Sequence, residues 1–139
     1  VRDSYPFWTQ VPTRWNDNDA YGHVNNTVHY LVMDTVINAW MIDQGILDIE
    51  QGDSIGLCVE SGCRYLASME YPDAFAVGLR IARLGSSSVS WEVGMLRASD
   101  DEPVAEGRFV HVFVDRQTRR PTPLADDVRT VLATLTREA

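Results

Sequence analysis

Trp15-Asn16-Asp17-Asn18-Asp19-Ala20-Tyr21-Gly22-His23-Val24-Asn25-Asn26 places two carboxylates and a glycine directly before the longest helical pattern in the chain. From Val24 the residues Val28, Leu31, Thr35, Ala39 and Ile42 fall at helical spacing, and Val32, Val36 and Trp40 widen the stripe. The pattern stops near Gly45, a residue suited to the left-handed conformation that ends helices. A helix of about 20 residues, roughly 30 Å long, is expected.

Around this helix the chain reads as extended. Phe7 to Arg14 forms a first strand, interrupted at Pro12, which cannot donate to a ladder and so belongs at an edge or a bulge. From Gly56, Leu57, Val59, Ser61, Cys63 and Tyr65 alternate against Cys58, Glu60, Gly62, Arg64 and Leu66. After a turn at Tyr71-Pro72-Asp73, Phe75, Val77, Leu79 and Ile81 share one strand face, and Arg80 falls on the other. Gly85-Ser86 turns the chain into Val89, Trp91, Val93 and Met95. Asp100-Asp101-Glu102-Pro103 turns it again into a strand from Val104 to Asp115. Beyond Pro121 and Pro123, Leu124, Val128, Val131, Leu132 and Leu135 repeat at helical spacing to the end. Strand, long helix, four consecutive strands and a short helix predict an α+β fold. Short turns favour antiparallel neighbours, and the sheet buries one face by curving around the long helix.

Composition narrows the function. A chain of 139 residues fits one domain over 1–139. Twenty acidic against twelve basic residues give a net charge of -8, which disfavours a nucleic-acid partner, although Arg116, Arg119 and Arg120 form a local basic group. Cys58 and Cys63 are the only cysteines; strand alternation puts them on opposite faces, where they do not pair. Free thiols fit a reducing cytoplasm, and Val1 to Pro6 lacks the apolar core of a signal peptide. The best apolar run, Val36 to Ile42, contains Asn38 and falls far short of the ~20 residues that cross a bilayer.

The opening stretch carries the chemistry. A helix start presents unpaired N–H groups and the positive end of a macrodipole, so a polar centre held there sits beside a carboxylate able to act on it. Asp19 is the candidate acid/base or nucleophile, because Gly22 lets the backbone turn tightly three residues later. The N–H groups of Gly22 to Asn25 are candidate oxyanion donors, an effect of order ~3 kcal/mol per well-placed donor. The residues alone fit a second reading equally well, in which Asp17 and Asp19 cap the helix for about 1 kcal/mol. His23 suits acid/base or orienting work, and the Asn25 and Asn26 amides either donate to a carbonyl or tie the loop to the helix. No spacing among Asp17, Asp19 and His23 matches a named metal motif, so neither metal nor cofactor is expected. His29 and His111 read as packing or hydrogen-bonding histidines. Neither cysteine has a recognisable activating base. Arg64, Arg80 and Arg83 are candidates for phosphate contacts.

Asp17-Asn18-Asp19-Ala20-Tyr21-Gly22-His23-Val24-Asn25-Asn26 resembles the Asp-x-Asp-x-x-Gly-His-Val-Asn-Asn signature of hotdog-fold acyl-CoA thioesterases, the 4-hydroxybenzoyl-CoA thioesterase-like group. Cys63-Arg64-Tyr65-Leu66, Tyr71-Pro72-Asp73 and Leu84-Gly85-Ser86-Ser87-Ser88 resemble that group's central strands and hairpin, so the likeness spans nearly the whole chain. The resemblance implies a five-stranded antiparallel sheet wrapped around one long helix, assembled as a homodimer or homotetramer with the site between subunits. It implies an acyl-CoA thioester hydrolase in which Asp19 is the catalytic carboxylate, the Gly22/His23 backbone holds the thioester oxygen, and Asp17 is secondary. Residues Glu60 to Arg64 of the partner subunit are expected near the acyl or pantetheine region. Some members carry Pro-Ala-Gly after the aspartate where this chain has Ala20-Tyr21-Gly22, so their substrates do not transfer. A hotdog protein that binds acyl thioesters without turning them over is the alternative, as is metal-assisted hydrolysis of another activated ester.

Overall fold

The computed structural model describes residues 2–136. Five strands form one antiparallel sheet: β1 (Phe7–Pro12), β2 (Ser54–Tyr65), β3 (Ala74–Leu84), β4 (Ser88–Arg97) and β5 (Pro103–Asp115). The long helix α1 spans Asn26–Asp43 and a short helix α2 spans Asp126–Ala133. The strand order is β1-β3-β4-β5-β2. Alternation works as expected in the centre of the sheet, where Phe75, Val77, Leu79 and Ile81 of β3 and Val89, Trp91, Val93 and Met95 of β4 are buried. They form one core with Val32, Met33, Val36, Ile37, Trp40 and Met41 of α1. At Gly107 on β5 the helix comes so close that a Cβ would collide with the Met33 thioether.

The helix exists where expected but is rolled about its axis. Its buried residues are His29, Val32, Met33, Val36, Ile37, Trp40 and Met41, whereas Leu31, Thr35, Ala39 and Ile42 of the expected stripe are exposed. The cause is the even spread of apolar residues around α1, so that periodicity identifies a helix without selecting its inner face.

Two further expectations are corrected along β2. The strand does not pair with its sequence neighbour β3; residues 66–73 cross over and β2 pairs with β5 at the far edge. The crossing is anchored by buried Met69 and by the N–H of Leu66 on the Val104 carbonyl at 2.9 Å. Within β2 the register skips Val59, so Cys58 pairs with His111 and Glu60 with Val110. This bulge reverses the alternation, and Cys58 and Cys63 therefore share the helix-facing side, both as free thiols. The last helix ends at Ala133, with Leu132 and Leu135 buried; the end of the pattern, 137–139, lies outside the described residues.

Candidate active site

The loop before α1 is fastened at both ends by Asp17. This residue, 4% exposed, closes a 3-10 turn from Trp15 to Asp17. Its carboxylate accepts from the Arg14 N–H at 2.8 Å and from the Arg14 guanidinium at 3.0 and 2.8 Å. Its carbonyl accepts from the N–H of Asn25 at 2.9 Å, and all these bonds are satisfied inside the loop. The loop is also docked on the 66–73 crossing. The Tyr71 N–H donates to Asn18 Oδ1 at 3.1 Å, and the Val24 N–H donates to the Met69 carbonyl at 2.7 Å. Gly22 sits at φ +85, a left-handed conformation that disfavours any side chain.

Asp19 differs from Asp17 in every respect that matters for reactivity. It is half-buried, and among the described residues its only hydrogen-bonded carboxylate oxygen is Oδ1, which accepts the Tyr21 N–H at 2.9 Å. Among the described residues no cation lies within ion-pair distance of it. Its backbone is fixed, with its N–H on the His23 carbonyl at 2.9 Å and its own carbonyl receiving the Gly22 N–H at 3.1 Å. The result is a held carboxylate with a free edge.

The donors around it are fewer than the sequence implied. Of the four N–H groups from Gly22 to Asn25, those of Gly22, Val24 and Asn25 are engaged, by Asp19, Met69 and Asp17 respectively. Only the His23 N–H lacks a partner among the described residues. The next one along, Asn26 at the first position of α1, also has none. Asn25 is the cap: its Oδ1 accepts from the Thr27 N–H at 2.9 Å and from Thr27 Oγ1 at 2.8 Å. Such a cap contributes about 1 kcal/mol to the helix.

His23 and Asn26 open into a cleft of about 330 Å3 between the helix start and the segment from Tyr65 to Met69. Two of its residues are not among the candidate site residues read from the sequence. His29, one turn into α1 and 4% exposed, lines the cleft with Tyr65 edge-on to its ring at 5.0 Å and Phe75 at 5.4 Å. Burial pushes its imidazole below the usual range, against the nearby Asn25 and Asn26 carbonyls, which act the other way. Tyr65 Oη donates to the Asn26 carbonyl at 2.8 Å, and burial, with Cys63 beside it, pushes the phenol up to about 12. The spacing of His29 four residues after the cap was the available signal; the approach of Tyr65 from 39 residues away left none.

Glu60 and Arg64 stand elsewhere. They pair with Val110 and Glu106 on the sheet face that α1 does not cover. Glu60 takes the Arg108 guanidinium at 2.7 Å. Arg64, with no ion-pair partner among the described residues, lines a depression of about 500 Å3 with Tyr5, Arg80, Glu92, Glu106 and Arg108. One chain therefore does not bring them to Asp19. Among the described residues no group of three or more side chains is placed to hold a metal ion.

Comparison with known proteins places this geometry in context. Residues 13–132 match the sequence profile of the thioesterase-like superfamily. The crystal structure of the PA5185 protein from Pseudomonas aeruginosa is similar at 45% identity and TM-score 0.94, over 99% of this chain and 96% of that one. A Thermus thermophilus thioesterase solved with coenzyme A and zinc is similar at 27% identity and TM-score 0.77, over 94% and 95% of the two chains. The 1,4-dihydroxy-2-naphthoyl-CoA thioesterase of Synechocystis shares the hotdog fold at TM-score 0.83, with 18% identity over 91% and 95%.

Proposed function

The chain belongs to the thioesterase-like superfamily, and on that premise we propose that it is an acyl-CoA thioesterase, releasing a carboxylic acid and free coenzyme A. The observation that carries this reading is that, among the described residues, the Asp19 carboxylate has no ion-pair partner and the N–H groups of His23 and Asn26 are unengaged. Donors at a helix start stabilise the charge that develops on a thioester oxygen, while a carboxylate with a free edge deprotonates water or attacks the carbonyl itself. Asp17, engaged by Arg14, holds the loop. The coenzyme A bound by the Thermus relative supports a CoA ester as the substrate.

The same reading includes a homodimer or homotetramer with the site between subunits, located in the cytoplasm. In support, β2 is paired only on its β5 side among the described residues, and an unpaired strand edge is a ready template for a second copy. Across such an interface the partner subunit would offer Arg64 and Glu60 to the acyl or pantetheine portion. Light scattering in solution should give two or four times the mass of the chain; a monomer excludes the shared site.

The decisive experiment is hydrolysis of a panel of acyl-CoA esters, followed by thiol release. Wild type should cleave at least one ester, and Asp19→Asn should lower kcat by 10²-fold or more, the order expected for a lost acid/base group. Equal rates would remove Asp19 from the reaction. Binding of the ester by wild type without thiol release would instead favour a non-catalytic acyl-thioester-binding protein.

A further inference from the structure

The cleft at the start of α1 has two walls, and two hydrogen bonds tie them together. One wall is the helix start, with His23, Val24, Asn26 and His29; the other is the segment from Tyr65 to Met69. At one end the Val24 N–H donates to the Met69 carbonyl at 2.7 Å. At the other, Tyr65 Oη donates to the Asn26 carbonyl at 2.8 Å. The unengaged N–H groups alternate with these ties among the described residues: that of His23 precedes the tied Val24 N–H by one residue, and that of Asn26 is separated from the tied Asn26 carbonyl by a single Cα. The helix itself does not require the second tie. An α-helical ladder already supplies a first-turn carbonyl with a donor four residues on, and a phenol that is 43% exposed loses little by facing water instead. The Tyr65 ring is nevertheless braced edge-on against buried His29 at 5.0 Å, which delivers its hydroxyl to the helix start.

We propose that Tyr65 is a positioning residue for thioester hydrolysis, clamping the first turn of α1 so that the His23 and Asn26 N–H groups meet the thioester oxygen together. This rests on the thioester-hydrolysis reading above. Tyr65 exchanges no proton with the substrate. Burial, with Cys63 beside it, pushes the phenol up to about 12, so it keeps its proton and goes on donating to Asn26 through the neutral range. The Val24–Met69 tie is main chain and survives any substitution, whereas the Tyr65 tie is the one a side chain can break. Helix ends fray when they are not held, and a frayed first turn carries the Asn26 N–H away from that of His23.

Two substitutions test this in the acyl-CoA assay alongside wild type. Tyr65→Phe keeps the ring against His29 and deletes only the hydroxyl, and Tyr65→Leu deletes the ring as well. Losing an oxyanion donor outright costs on the order of 10²-fold, so a loosened one should cost Tyr65→Phe about 10-fold in kcat, and Tyr65→Leu no less. KM should be nearly unchanged, because the donors act on charge that develops only in the transition state. A ketone analogue of the cleaved ester, with methylene in place of the thioester sulfur, reports the donors directly. Its carbonyl stretching frequency should fall on binding to wild type and fall less on binding to Tyr65→Phe. Wild-type kcat in either folded variant, or the same bound carbonyl frequency in wild type and Tyr65→Phe, overturns the positioning role and leaves the hydrolysis reading standing. A wild type that cleaves no ester in the panel overturns that reading and this proposal together.

Discussion

Two aspartates separated by one residue are sorted here by their hydrogen bonds alone. Asp17 is buried and accepts three bonds from Arg14, whereas Asp19 accepts one backbone N–H and, among the described residues, pairs with no cation. Replacing Asp17 with Ala leaves the Arg14 N–H and guanidinium without their acceptor and frees the loop from its 3-10 turn. The expected cost is about 1–3 kcal/mol, at the lower end because the Arg14 guanidinium is largely in solvent. Thermal unfolding should show a clear fall in Tm for Asp17→Ala and almost none for Asp19→Asn, the reverse of their effects on catalysis; matched Tm values would refute the sorting. Some of this was readable in the sequence, since an aspartate, a glycine and an asparagine before an apolar helix are local turn and cap chemistry. Which N–H groups remain open was not, because the acceptor that engages Val24 is the Met69 carbonyl, 45 residues along the chain and delivered by tertiary structure.

At the scale of elements, the same division recurs. The β3–β4 and β4–β5 hairpins follow from alternation and short turns, which are local. The roll of α1, the bulge at Val59 and the crossing of β2 to β5 depend on which surfaces meet, and the pattern within one element does not contain that information. Gly107 marks the meeting of α1 with β5: it is the space into which the Met33 thioether fits. Gly107→Ala should therefore overpack the contact and destabilise the protein by about 1–3 kcal/mol. Shortening the opposing side chain in the double variant Gly107→Ala/Met33→Val should recover part of that loss. Denaturant unfolding of the two single variants and the double variant gives the coupling, and strictly additive effects would rule out the proposed contact.

For the whole molecule, the order of elements made the sheet-around-helix architecture legible, and His29 and His111, read from the sequence as packing or hydrogen-bonding residues, are both buried. His111 lies on β5 with Trp91 at 6.1 Å and Phe109 at 6.4 Å, and His29 lies beneath the first turn of α1. Burial lowers the pKa of both below the ordinary 6.5; Asp34 on α1 opposes this for His111, and the carbonyls of Asn25 and Asn26 oppose it for His29. The folded state thus refuses protons that the unfolded chain accepts, so stability rises with pH between the depressed values and 6.5. The contribution is complete above 6.5 and is lost as pH falls below it. Wild-type Tm should decline between pH 7.5 and 5.5, before most carboxylates titrate. His111→Phe, which fits the same aromatic surroundings without a titrating group, should decline less steeply over that interval. Parallel curves for the two proteins would show that His111 protonation does not couple to folding, and would leave His29 as the other buried histidine whose lowered pKa bears on acid sensitivity.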